Sequence, residues 1–101
     1  MTTHNFLESS IAYITRETAQ HVIPQNTLVV WEIQRLQCKL LWLNQIVALC
    51  WDDYTKEQKA YDKAHIKEIA HAIAQLKKTY WLSDNDIARI EGKYAAVKFW
   101  N

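Results

Sequence analysis

Apolar residues recur along this chain in steps of three and four. Leu7, Ile11, Ile14, Thr18 and Val22 share one helical face, and so do Val29, Ile33, Leu36, Leu40, Leu43 and Val47. The pattern returns at Ile66, Ile69, Ile73, Leu76 and Tyr80, and again at Ile87, Ile90, Tyr94 and Val97. Polar signals divide these runs into four predicted helices. Asn5 with Glu8 has the form of a capping box, opening a helix over residues 5–22, and Pro24 closes it by pushing its predecessor out of the α region. Asn26 or Thr27 is placed to cap a second helix running to Trp51, with "WDDYT" as the loop that follows. Thr55 with Gln58 opens a third, ending near Trp81, and Ser83 with Asp86 opens a fourth that reaches the C-terminus.

Two long central helices, the second and third, are thus flanked by shorter first and fourth helices with connections of a few residues. Short connections make antiparallel neighbours the default, so the expected fold is an all-α bundle of about four helices. Composition agrees. With 101 residues, half of them hydrophobic and 23% charged, the chain is expected to form one globular domain over residues 1–101. One glycine and one proline in the whole chain argue against a β architecture, which depends on both for its turns.

The second helix carries more large apolar residues than one buried face requires: "WEIQRLQCKLLWLNQIVALCW" spans residues 31–51. Opposite its core stripe, Trp31, Cys38, Trp42 and Leu49 follow at steps of 7, 4 and 7, with Arg35 and Gln45 between them. A helix apolar nearly all round is buried nearly all round, either by neighbouring helices or by a partner. The outer helices are shorter than the central one, so this second face is expected to be an interface, most simply with a second copy of the chain. On that reading Trp42 lies between subunits and Leu40 in the subunit's own core.

Other features narrow the setting. Cys38 and Cys50 stand twelve residues apart on one predicted helix, about 18 Å at ~1.5 Å per residue, and cannot bridge each other. Free thiols point to a reducing, cytoplasmic location. The first twenty residues lack the basic start and apolar run of a signal peptide. The stretch from Leu28 to Trp51 is long enough to span a bilayer, but Glu32, Arg35, Lys39 and four amides interrupt it, so no membrane span is expected.

Candidate chemistry is sparse. "DKAHIKEIAH" places Asp62, His65, Glu68 and His71 at successive steps of three, and Glu68 with His71 has the Glu-x-x-His spacing used in diiron-carboxylate bundles. Those sites need a second such pair, and the first helix offers only Glu17 and His21. Steps of three drift by about 60°, so Asp62 and His71 diverge. The expectation is a surface His71 and Glu68, a His65 bordering the core, and no metal or other cofactor. Without a phosphate loop, paired-cysteine motif or nucleophile elbow, neither catalysis nor a small-molecule substrate is expected. Ala88 and Gly92 after Ile87 have the spacing of a helix-turn-helix, but Glu91, Lys93 and Lys98 occupy positions that motif needs apolar. An unbroken helix through Gly92 accounts better for the pattern.

Charge adds one unusual feature. Net charge is only +1, which predicts no polyanion partner from the chain as a whole, yet Lys56, Lys59, Lys63 and Lys67 form a stripe continued by Lys78. Lysines four apart repel by a few tenths of a kcal/mol, with Asp52 alone placed to relieve Lys56 and no aromatic interleaved for stacking on bases. Together these features lead to the expectation of a small non-catalytic cytoplasmic protein, homodimeric and acting by protein–protein interaction as an adaptor, inhibitor or immunity-type protein. The alternative is a nucleic-acid-binding regulator using the lysine stripe, with or without the C-terminal segment.

Overall fold

The computed structural model describes residues 6–20 and 23–90. Four helices follow in order, α1 (Phe6–Gln20), α2 (Gln25–Cys50), α3 (Lys56–Thr79) and α4 (Asp84–Arg89), with a single 3-10 turn at Trp51–Asp53 between α2 and α3. Among the described residues there is no strand. The fold is the all-α bundle with two long central helices. Its apolar core draws Phe6 and Ile14 from α1, Val29, Ile33 and Leu36 from α2, Ile69, Ile73 and Leu76 from α3, and Ile87 from α4.

Helix boundaries follow local side-chain chemistry where capping boxes exist. Thr55 Oγ1 accepts from the Gln58 amide at 3.2 Å while Gln58 Oε1 accepts from the Thr55 amide at 3.0 Å. Ser83 and Asp86 make the same reciprocal pair at 3.1 and 2.9 Å. The expected box at Asn5 lies outside the described residues. The start of α2 departs from expectation, because neither Asn26 nor Thr27 is its cap. Pro24 fills that position with φ −54° and ψ 137°, and its carbonyl accepts from the amides of Thr27 at 3.0 Å and Leu28 at 3.2 Å. Proline's fixed φ suits the lead-in to a helix, so the first turn begins two residues early and absorbs the predicted caps.

The other ends also differ in detail. Part of "WDDYT" is not irregular loop but the 3-10 turn, closed by the Tyr54 amide on the Trp51 carbonyl at 3.3 Å. Helix α3 stops at Thr79 in a Schellman arrangement: the Leu82 amide reaches back to the Lys77 carbonyl at 2.9 Å and the Trp81 amide to that of Lys78 at 3.4 Å. Trp81 takes the left-handed position with φ 57°, a place where glycine is usual and other residues are disfavoured by about 1–2 kcal/mol. The last helix, expected to run unbroken from Ser83, ends at Arg89. Ile90 leaves the α region with ψ 114°, while its side chain packs against the core beside Ile87. A single turn and a half is too short to sustain itself, so packing decides where it ends. Tyr94, Val97 and the rest of the expected C-terminal helix lie outside the described residues, as does Val22.

Candidate functional site

The two halves of α2 stand in different surroundings. From Leu28 to Leu36 every residue is buried except the half-buried Trp31 and Arg35. From Leu40 onward no α2 residue is fully buried. Among the described residues α1 has 15 residues and α2 has 26, about 22 and 39 Å of axis. The first described residue of α1 is Phe6, whose ring lies 5.8 Å from the His65 ring and 4.9 Å from the Lys39 ammonium. Beyond that level α2 continues for three turns beside the start of α3.

The second apolar face of α2 divides at the same place. Trp31, Arg35 and Cys38 are half-buried, whereas Trp42, Gln45 and Leu49 are exposed, Trp42 by 58% and Leu49 by 84%. The structure therefore separates the six residues of the predicted strip into a partly covered upper group and an open lower group. Burial pushes the Cys38 thiol above its ordinary pKa, partly countered by a backbone hydrogen bond, which keeps it protonated and sluggish as a nucleophile. Both cysteines are free. Leu40, placed in the core by its spacing, is half-buried and packs at the core's edge with Leu43.

Arg35 has a role that its heptad position does not suggest. It pairs with Glu32, which is 3% exposed and sits among the apolar residues of the buried half. The Arg35 Nε donates to both carboxylate oxygens at 3.1 Å, and the buried Ser10 hydroxyl donates to Oε1 at 2.8 Å. Three directed donors compensate the carboxylate for the water it loses. Sequence reasoning missed this cluster, although Glu32 lies on the Val29–Ile33–Leu36 stripe and Ser10 on the stripe between Leu7 and Ile14. A polar residue at a core position is the signal that could have found it. Nearby Gln34 is 2% exposed and its Oε1 accepts no hydrogen bond among the described residues.

On α3 the candidate donors do not converge. His65 is half-buried against Phe6 and Tyr61, with Nδ1 3.1 Å from the Tyr61 carbonyl oxygen. His71 is exposed, Asp62 and Glu68 are half-buried, and among the described residues no three His, Cys, Asp or Glu side chains gather as metal ligands do. Near the start of α3, the Tyr54 hydroxyl is pushed up, first by burial and then by the Asp62 carboxylate.

The lysine stripe is more structured than a plain solvated face. Lys56, Lys63, Lys67 and Lys78 are exposed, but Lys59 is half-buried. The Lys59 and Lys63 ammonium groups lie 4.6 and 4.8 Å from the centroid of Trp51, close enough for cation–π attraction. An aromatic therefore does accompany these lysines, brought in by the 3-10 turn rather than by α3 itself. Asp52 does not neutralise Lys56: among the described residues the ion pairs are Arg16–Glu17, Glu32–Arg35, Lys77–Asp84 and Asp86–Arg89. No helix among the described residues is long and apolar enough to cross a membrane. The chain matches no protein-family model, no curated protein and no solved structure.

Proposed function

We propose that the chain is a non-catalytic cytoplasmic helical protein that acts by protein–protein interaction, as an adaptor, inhibitor or immunity-type protein, and pairs with a second copy of itself through the lower half of α2. The observation that carries this reading is the exposure of Trp42 and Leu49, seven residues apart on one side of α2, where that helix runs past the described residues of α1. A buried Trp removes on the order of 200 Å² from water, and aromatic residues flanked by aliphatic ones are the usual anchors of interfaces. The heptad spacing from Trp31 to Leu49 suits a helix packed along its own copy. Free Cys38 and Cys50 fit a reducing compartment.

Light scattering across a range of protein concentrations tests the pairing. The wild type should be dimeric at high micromolar concentration. Trp42→Glu should be monomeric with its helical circular dichroism retained, since an exposed side chain contributes little to the subunit's own core. A wild type that stays monomeric would sink the proposal.

A further inference from the structure

The outward side of α3 has a composition that its average charge conceals. Rotating 100° per residue, one broad face from Lys56 to Lys78 collects Lys56, Lys59, Lys63, Lys67, Lys77 and Lys78. Between them lie exposed Ala60, Ala64, Ala70 and Ala74, together with exposed His71. The carboxylates of the helix, Glu57, Asp62 and Glu68, all project to its flanks. Lys77 is neutralised by an ion pair with Asp84 at 3.0 Å. The other lysines of this ridge make none among the described residues. At its start two ammonium groups are drawn to the same indole, that of Trp51. Lys56, Lys67 and Lys78 have neither kind of relief among the described residues, and like charge left on one ridge works against folding unless an anion binds there.

We infer that this ridge binds the phosphate backbone of duplex nucleic acid without reading its sequence. The length fits: Lys56 and Lys78 stand twenty-two residues apart, about 33 Å along a straight axis at ~1.5 Å per residue, close to the roughly 34 Å of one duplex turn. Alanine methyls between the lysines keep the floor low, so phosphates can approach without steric obstruction. The chemistry fits as well. Helix α3 contains no arginine, the residue whose fork reads guanine or grips carboxylates in pairs. Lysine offers a point charge on a flexible stem, suited to phosphates at variable positions. A membrane surface is a poorer match, because a helix lying on a bilayer needs large apolar residues to sink, and the ridge offers only alanine. A single strand is also poorer, because Trp51 is already covered by two ammonium groups and no other aromatic lies along the stripe.

Fluorescence anisotropy of a labelled duplex two turns long, titrated with the full chain from about 50 to about 200 mM salt, tests the assignment. With five lysines engaged, the slope of log affinity against log salt should be about −4 to −5. Lys56→Gln with Lys67→Gln and Lys78→Gln alters only residues that touch no aromatic, and should bring the slope to about −2. Lys59→Gln with Lys63→Gln should reduce its magnitude by about two while circular dichroism stays helical. Polyglutamate and phosphatidylserine vesicles serve as rival anions. Failure of the wild type to bind duplex at about 50 mM salt, an unchanged slope in both variants, or equal binding to either rival would overturn the proposal. The self-association of α2 and this binding fail independently, since they use different helices and different readouts.

Discussion

The two halves of α2 have similar apolar content and opposite fates. Between Leu28 and Leu36 every residue but Trp31 and Arg35 is buried, a glutamate among them, while between Leu40 and Cys50 leucine and tryptophan side chains meet solvent. Hydrophobicity alone does not distinguish them. The difference is the cover each half receives: among the described residues α1 supplies Phe6–Gln20 against the Gln25–Cys50 of α2. Burial in a small bundle is thus decided by cover as much as by composition, and surplus apolar surface appears wherever the cover stops.

The largest expected effect breaks this comparison directly. Leu36 is fully buried and Leu49 is 84% exposed, so the same truncation should have unequal costs. Leu36→Ala removes core atoms and leaves a cavity, and should destabilise by about 3–5 kcal/mol in chemical denaturation. Leu49→Ala at a concentration where the chain is monomeric should change stability by no more than about 0.5 kcal/mol. Similar losses at both sites would mean that the lower half is covered within one subunit.

A second, smaller effect sharpens the view of the enclosed half. Ser10 is buried and donates to the Glu32 carboxylate at 2.8 Å, whereas its neighbour Ser9 is exposed. Hydrogen bonds to charged groups are worth about 1.5–3 kcal/mol, so Ser10→Ala should destabilise by about that much and Ser9→Ala by almost nothing. Equal behaviour would show that Glu32 obtains its partners elsewhere. The pair also separates polarity from helix propensity, because both serines lie in α1 and lose the same intrinsic preference.

Features set by neighbours along the chain are legible in the sequence; features set by neighbours in space are not. The capping boxes at Thr55/Gln58 and Ser83/Asp86 involve groups three residues apart, and both form as their spacing implies. The core stripes of α2 and α3 are legible for the same reason, as is the presence of a second apolar face on α2. What periodicity does not supply is which half of that face is covered. Nor does it place Trp51 against Lys59 and Lys63, because that contact depends on how the 3-10 turn carries the chain from one helix to the next. At Pro24 the rule that proline hinders a helix before it leaves out a second role, since here proline also caps the helix after it. The extent of α4 escapes the pattern because apolar spacing continues past Ile90 while Ile90 itself leaves the helix.

The smallest expected effect contrasts the two ends of the bundle. Both α3 and α4 open with a capping box, but the reciprocal residue is Gln58 in one and Asp86 in the other, so only the second can titrate. Asp86 accepts from the Ser83 amide and hydroxyl and pairs with Arg89. These groups, the Ser83 backbone hydrogen bond foremost, hold its carboxyl below the ordinary value of about 3.9. A carboxylate with a lowered folded pKa binds protons more readily in the unfolded chain. Its contribution is therefore fully present above the unfolded value and is lost as pH falls through the folded one. Asp86→Asn should lower stability near neutral pH, and the gap from wild type should narrow progressively as pH falls below about 4. The other box behaves in reverse: Gln58→Glu should make that box, whose members do not titrate in the wild type, acid-sensitive. Denaturant titrations of both variants across this range would measure the two slopes. An Asp86→Asn gap that stays constant with pH would mean that the Ser83 cap contributes through its hydroxyl alone, with the carboxylate idle.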